Sequence, residues 1–389
     1  MSPPGCVAGL LVLYATFCAF DYAGVVPNTY LPGWHYTWGA FLLLTLATGA
    51  WSVTSLPSAQ AAGPCPAMPV PAWIMALLLL LTLFAYGFWF SPLAANPQIL
   101  VNALAEGEGN IRKAVSSTPG VTTMTQCGVA YVIGYAIRKG DPTQRMRLWE
   151  HLGLAAVLVA GLIRVVAWSE RLALIELVVC GAVSAFAFVR IRRRSVWRLA
   201  VVMPLLAPPL LLALFAATEY FRSWNYYQKE YDSIWQFSID RLLAYYATAS
   251  NNGIGLLVEN HQWPQYSGRY VAEWLYLMPG LGDWIQQSFG DVSKQYSSFL
   301  ATFARPELNN PSGIFQVVFD VGYLGSTLYF LATGMVIGRL WLGWRRGELA
   351  GLLFYPPCAL YLIELLRINY LASTRFFPAA VGLVMIYAA

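Results

Sequence analysis

Hydrophobic segments of about 20 residues recur along most of this chain, and each is long enough to cross the hydrocarbon core of a bilayer as a helix. Hydrophobic residues make up 58% of the 389 positions and charged residues only 11%. This balance is typical of membrane proteins and not of a large soluble core. We therefore predict an all-α, polytopic membrane protein.

The hydrophobic segments predict about ten transmembrane helices, with one large loop after the seventh. The predicted spans are 5–20, 37–55, 71–91, 120–137, 148–167, 172–190, 199–217, 314–338, 349–366 and 374–388. The chain is thus expected to consist of spans one to seven within 1–217, a loop at 218–313, and spans eight to ten within 314–389. We expect the first span to be retained, because it shows neither a basic leading segment nor an obvious cleavage site.

Clustered positive charges in three short loops predict which side of the membrane each loop occupies. The loops contain Arg138, Lys139, Arg145 and Arg147; then Arg190, Arg192, Arg193, Arg194 and Arg198; then Arg339, Arg345 and Arg346. Alternating spans place all three loops on one side, which the positive-inside rule assigns to the cytoplasm. Both termini are then cytoplasmic, and the large loop lies outside. In a bacterium this is the periplasm, where no ATP is present, so any chemistry there needs an activated substrate.

The large loop is rich in Trp, Tyr and Phe and has few blocks of charge, so we expect it to be folded. Ser223 is a predicted N-cap of a helix that ends near Ser250, before Asn251, Asn252 and Gly253. A second helix is predicted between Arg269 and Met278. We expect the loop to cover the outer ends of the spans as a lid, with Tyr245, Asn251 and Asn252 as candidate saccharide-binding residues. The alternative is that its aromatic side chains only pack the loop onto the membrane surface.

Ionisable residues lie beside the predicted outer ends of the spans, where a charge is costly unless it is paired or faces a cavity. Guanidinium groups bind phosphate oxygens through two parallel hydrogen bonds, so these arginines suit an anionic lipid headgroup. The alternative is that Glu170 with Arg171, and Glu364 with Arg367, only fix the turns at helix ends. The candidate arginines are Arg112, Arg164, Arg171, Arg305, Arg367 and Arg375, and the candidate carboxylates are Glu170, Glu176 and Asp320.

Several other kinds of function are disfavoured. The three histidines, His35, His151 and His261, are scattered, so we predict no metal site, although His261 could act as an acid or base in the loop. The positive charges lie in short loops and indicate topology, not a nucleic-acid partner. We find no nucleotide-binding loop, dinucleotide fingerprint or hydrolase elbow, which argues against nucleotide-driven transport.

Four stretches of the chain resemble the bacterial O-antigen polymerase (Wzy-type), or oligosaccharide repeat unit polymerase, family. They are Asn110–Lys113 with Thr118–Thr125, then Ser169–Glu176, then Ala247–Gly253, then Pro306–Gly322. Their order and their predicted side of the membrane agree with the family. One departure is Val321, where an aromatic residue is expected between the acid and the glycine.

The resemblance implies a GT-C-like architecture and an inner-membrane glycosyltransferase that joins oligosaccharide repeat units, carried on undecaprenyl pyrophosphate, at the periplasmic face. The transfer would be metal-independent and without a cofactor. The six candidate arginines would hold the pyrophosphate, and Glu170, Glu176 or Asp320 would act as a base or orient an arginine. Membrane lipid, a chain-length regulator and a flippase are the implied partners.

Two other functions remain open. An O-antigen ligase would use the same donor but transfer the glycan to lipid A core. A transporter of polysaccharide or lipid-linked sugar would perform no chemistry, although such proteins usually show repeated halves and charges near the middle of the membrane. In this chain the charges lie toward one face.

Overall fold

The computed structural model describes residues 2–22, 33–55, 69–99, 101, 118, 120–168, 170–192, 209–210, 212–220, 223–260, 262–276, 278, 280–289, 292–304 and 308–389. Within these residues the regular elements are helical, which confirms the predicted all-α class. The α-helices are α1 (Pro3–Tyr22), α2 (Gly33–Thr54), α3 (Ala72–Ala95), α4 (Cys127–Gly140), α5 (Leu148–Trp168), α6 (Leu172–Arg192), α7 (Trp224–Tyr227), α8 (Ile234–Glu259), α9 (Glu273–Tyr276), α10 (Leu281–Phe289), α11 (Val292–Phe303), α12 (Phe315–Arg346), α13 (Leu349–Glu364) and α14 (Phe376–Ala388). Short 3-10 helices cover Thr122–Gln126 and Tyr370–Ala372.

Every predicted span except the seventh overlaps one of these helices. The seventh, 199–217, falls largely outside the described residues, and its end lies within the helical residues 212–220. Three helices are long and apolar enough to cross a membrane, namely Ala72–Ala95, Leu148–Val165 and Phe315–Arg346. Four shorter apolar helices are Pro3–Ala19, Leu172–Phe188, Leu349–Glu364 and Phe376–Ala388. The chain therefore has the helices of a membrane protein, and the number of spans stays a prediction.

The chain forms two compact units, and each is assembled from three segments that are not consecutive in the sequence. The first unit contains 1–63, 243–346 and 357–377, and the second contains 64–242, 347–356 and 378–389. The boundary at 242–243 falls inside α8. Residues 218–313, predicted as one loop between two groups of spans, are therefore divided between the units.

The helices predicted within residues 218–313 differ from those observed. Ser223 precedes only the four-residue helix α7, and its side chain makes no capping hydrogen bond. The long helix is α8, which begins at Ile234 and continues through Asn251, Asn252 and Gly253 to Glu259. The prediction that these three residues end a helix was wrong. Of the second predicted helix, only α9 forms.

In the second unit, helices α3, α4 and α5 run in alternating directions. At one end, Arg138 near the end of α4 donates from Nε to Oε1 of Glu150 in the first turn of α5, at 2.5 Å. Arg138 also donates to the carbonyl of Val70, which precedes α3. At the other end, the rings of Trp89 in α3 and Trp168 in α5 lie 4.9 Å apart. Thus α3 and α5 run one way and α4 runs the other.

In the first unit, α2 and α12 pack side by side with their backbones almost in contact. A Cβ atom at Gly334 would lie 2.2 Å from the carbonyl oxygen of Leu46, and one at Gly338 would lie 2.7 Å from that of Ala50. Small residues allow helices to approach this closely in membrane proteins. Because residue numbers rise together along this contact, the two helices run in the same direction.

Candidate functional site

The candidate site lies in the first unit, on residues 365–375 between α13 and α14. The start of this loop is held by Gly313, whose amide donates to the carbonyl of Leu365 at 3.1 Å. A Cβ atom at Gly313 would lie 2.5 Å from the carbonyl of Ile368, so only glycine leaves the loop this room. The end of the loop is held by Glu273 of α9, which accepts a hydrogen bond from the amide of Thr374 at 3.3 Å.

Arg367 projects from this loop into a largely buried environment. Its Nε lies 3.0 Å from Oε2 of Glu364, but the two groups are not aligned as a hydrogen bond. Only 13% of the Arg367 side chain and 2% of the Glu364 side chain are exposed. Its guanidinium carbon lies 5.3 Å from the centre of the Tyr245 ring, within the range of a cation–π contact. Arg367 is therefore paired in charge and packed against an aromatic face.

One donor of the Arg367 guanidinium is buried without a hydrogen bond. Within the part of the chain that the structure describes, Nε of Arg367 has no hydrogen-bond partner. Burial lowers the pKa of Arg367, but the Glu364 carboxylate, and after it Tyr245 and Tyr246, raise the pKa, and the net shift is upward. The side chain is thus a permanent cation, and whether it binds an anion stays a prediction.

Arg375 lies close enough to Arg367 for its positive charge to lower the pKa of the Arg367 guanidinium. It is partly buried at the end of the same loop. Two residues further along the chain, the ring of Phe377 stacks on that of Trp274, with the ring centres 5.1 Å apart. The structure therefore brings two of the six predicted arginines, Arg367 and Arg375, into one neighbourhood.

Asp320 is fully buried and holds a backbone turn. Its Oδ1 accepts hydrogen bonds from the amide and hydroxyl of Ser267, both at 3.0 Å, and from the amide of Gly268 at 2.9 Å. Its Oδ2 accepts one from the amide of Tyr270 at 2.9 Å. The four hydrogen bonds use both oxygens of this fully buried carboxylate, so a substrate hydroxyl has no access to them. The geometry thus favours a structural role over that of a base.

A break in α12 lies directly beside Asp320. Gly322 has a φ of 72° and a ψ of −175°, a conformation essentially restricted to glycine. The break frees two carbonyl groups, which accept hydrogen bonds from segment 265–266: Phe319 from the amide of Gln265 at 3.1 Å, and Asp320 from that of Tyr266. Backbone and carboxylate together attach this segment to α12.

The two asparagines predicted to bind saccharide are buried in α8. The side-chain amide of Asn252 donates to the carbonyls of Leu308, at 2.6 Å, and Asn310, at 3.3 Å. A Cβ atom at Gly253 would lie 2.5 Å from the carbonyl of Pro311. These contacts join two of the stretches that carry the family resemblance, 247–253 and 306–322. Tyr245, in contrast, is partly exposed and contacts Arg367.

Arg164 lies in the second unit, and each of its three guanidinium nitrogens donates to a protein oxygen. It donates to Oε2 of Glu170 from Nε at 2.8 Å and from Nη2 at 2.5 Å, and to the hydroxyl of Thr125 from Nη1 at 3.1 Å. Its guanidinium carbon lies 4.5 Å from the centre of the Trp89 ring. Glu170, for which an ion pair with Arg171 was one alternative, pairs with Arg164. This arrangement ties α3, the start of α4 and the end of α5 together.

Arg171 binds Glu219, a residue that the sequence did not single out. Its guanidinium donates to the Glu219 carboxylate and to the hydroxyl of Thr218, and it lies 3.7 Å from the centre of the Phe215 ring. Nε of Arg241 lies 3.4 Å from the other oxygen of Glu219, which is buried. A buried carboxylate directly after an apolar segment was the available signal for this cluster. Glu176, also in the second unit, is buried in the second turn of α6.

The remaining predicted arginines, Arg112 and Arg305, lie outside the described residues, as does His261. Sequence reasoning named Glu364 only as a partner of Arg367, and it missed Asn369, which connects the loop to α12. Asn369 donates to the carbonyl of Tyr270 and to the hydroxyl of Tyr329, both at 3.1 Å. Among the described residues, no three potential metal ligands of the His, Cys, Asp or Glu type come together.

The fold and this site define an all-helical protein with membrane-length apolar helices and a buried arginine at the loop between its last two helices. Comparison with protein-family models, with curated proteins and with solved structures found no match.

Proposed function

We propose that the protein is an inner-membrane glycosyltransferase that polymerises oligosaccharide repeat units, carried on undecaprenyl pyrophosphate, at the periplasmic face. The observation that carries the proposal is Arg367, a largely buried cation whose Nε has no hydrogen-bond partner among the described residues. A buried guanidinium gains most from an anion that accepts two parallel hydrogen bonds, and phosphate oxygens do so.

The proposal assigns the residues of this loop to the departing diphosphate. Arg367 and Arg375 would stabilise the negative charge that develops on it as the glycosidic bond breaks. Glu364 would orient Arg367 in the absence of substrate and, once the anion holds Arg367, could accept the proton of the attacking sugar hydroxyl. The proposal no longer includes Asp320 as a base, because four donors already hold its carboxylate.

Three further observations support the proposal. Two of the four stretches that resemble the polymerase family, 247–253 and the described part of 306–322, lie in the unit that contains Arg367. In that unit α2 and α12 run in the same direction, as two spans that both lead from the outer to the inner face require. In the second unit, α3, α4 and α5 alternate in direction, as consecutive spans require.

The test is the surface glycan of a strain from which the gene is deleted. The proposal expects single repeat units on the lipid core, and long chains again after the gene is returned on a plasmid. An unchanged ladder of long chains would overturn it. Bare core together with lipid-linked polymer would indicate the ligase instead. Purified protein that lengthens lipid-linked repeat units in detergent would exclude a transporter.

A further inference from the structure

Arg367 can serve an anion only if its backbone is held in place, and the contacts that hold it lead back to α12. Asn369, two residues after Arg367, donates to the carbonyl of Tyr270 at 3.1 Å and to the hydroxyl of Tyr329 at 3.1 Å. Tyr329 belongs to α12 itself. Asn369 is buried, so neither bond is exposed to competition from water.

The carbonyl of Tyr270 is in turn fixed by Asp320. The amide of Tyr270 donates to Oδ2 of Asp320 at 2.9 Å, and the preceding residues Ser267 and Gly268 donate to Oδ1. Asp320 lies two residues before the break of α12 at Gly322. Its carboxylate and the carbonyls of Phe319 and Asp320 all accept hydrogen bonds from segment 265–270. A continuous path of hydrogen bonds therefore runs from α12, through Asp320, Tyr270 and Asn369, to the backbone that carries Arg367.

We infer that Asp320 and Asn369 are positioning residues, which set the place of the Arg367 guanidinium through the backbone of Tyr270 without touching the substrate. The inference rests on the proposed function, because it takes Arg367 as the group that binds the anion. A displacement of about 1 Å at a positioning contact is enough to lose a large part of a site's effect.

The experiment measures the affinity of purified protein in lipid nanodiscs for undecaprenyl pyrophosphate, the carrier without sugars. Asp320→Asn keeps the shape of the side chain but replaces one acceptor oxygen by a donor, which opposes an amide of the turn. We expect it to weaken binding about tenfold, a loss typical of a broken buried network. Asn369→Ser removes the bonds to Tyr270 and Tyr329 and should weaken binding to a similar degree. Asp283→Asn, at an exposed acid of α10, is the matched control and should leave binding unchanged.

The double variant Asp320→Asn with Arg367→Lys separates positioning from general stability. If Asp320 acts through Arg367, the double variant should bind no more weakly than Arg367→Lys alone. Losses that multiply would overturn the inference, and so would full affinity in both single variants. If Asp320→Asn does not fold, the same comparison is made with Asn369→Ser. A different result, in which Arg367→Lys itself binds normally, would reject the proposed function and not only the positioning role.

Discussion

At the scale of single residues, arginines with similar sequence settings differ in how their donors are used. Arg164 donates hydrogen bonds from three nitrogens to Glu170 and Thr125. Arg171 donates to Glu219 and Thr218. Arg367 has a charge partner, but its buried Nε has no hydrogen-bond partner among the described residues. A satisfied buried arginine holds a structure together, whereas one with free donors is suited to a ligand.

Arg367→Lys is expected to shorten or abolish the polymer while leaving the amount and thermal stability of the protein unchanged. Lysine keeps the charge beside Glu364 but loses the planar fork that binds two oxygens. Losing one charge-assisted hydrogen bond costs about 1.5–3 kcal/mol, or about tenfold or more in affinity. The measurement is the glycan ladder of a complemented deletion strain, together with thermal unfolding of the purified variant. Normal chain length would leave Arg367 with a structural role only.

Arg164→Lys is expected to give the opposite result. A lysine amine cannot reproduce the three bonds to Glu170 and Thr125, so this variant should lose about 1–3 kcal/mol of stability. Thermal unfolding in detergent should show a lowered midpoint, and the polymer that remains should keep its normal length. Shorter polymer at normal protein level would instead place Arg164 among the substrate-binding groups.

At the scale of helices, the sequence predicted where helices form more reliably than which helices contact one another. The long apolar segments predicted helices because a helix satisfies its own backbone hydrogen bonds in an apolar environment. The end of α8 was missed because Asn252 and Gly253, which favour helix ends in isolation, here pack against 308–311 and are held in the helix by those contacts. The partners of Glu170 and Arg171 could not be predicted, since they depend on which helices are neighbours.

Gly334→Ala is expected to destabilise the protein, because its added carbon would lie 2.2 Å from the carbonyl of Leu46 and would force α2 and α12 apart. Overpacking of this kind costs about 1–3 kcal/mol. Gly87→Ala in α3 is the control, since a Cβ atom there meets nothing within 4 Å. The control should be neutral or stabilising by up to about 1 kcal/mol. Thermal unfolding of both variants in one detergent tests the pair, and equal midpoints would contradict the close packing of α2 and α12.

At the scale of the whole molecule, the distribution of arginine in the sequence predicts which side of the membrane each segment faces. The positive-inside rule predicts that loop 138–147 lies in the cytoplasm and that residues 218–313 lie outside. The proposed function needs this orientation, because an enzyme that uses a lipid-linked donor at the periplasmic face must present Arg367 there. Two exposed positions report the two sides: Arg145 in the short loop, and Trp284 in α10, where 62% of the residue is exposed.

Single cysteines at these positions should react from opposite sides of the membrane. In a background without the six native cysteines, Trp284→Cys should react with a membrane-impermeant maleimide in intact spheroplasts, and Arg145→Cys should react only after lysis. Both should react in detergent, which controls for exposure. Labelling of both variants in spheroplasts, or of Arg145→Cys alone, would contradict the predicted orientation of these segments. Charge clusters flank only some of the predicted spans. If one weakly apolar segment does not cross the membrane, every later segment lies on the side opposite to the one predicted. The two labelled positions lie on either side of spans five to seven, so their labelling would reveal such an error.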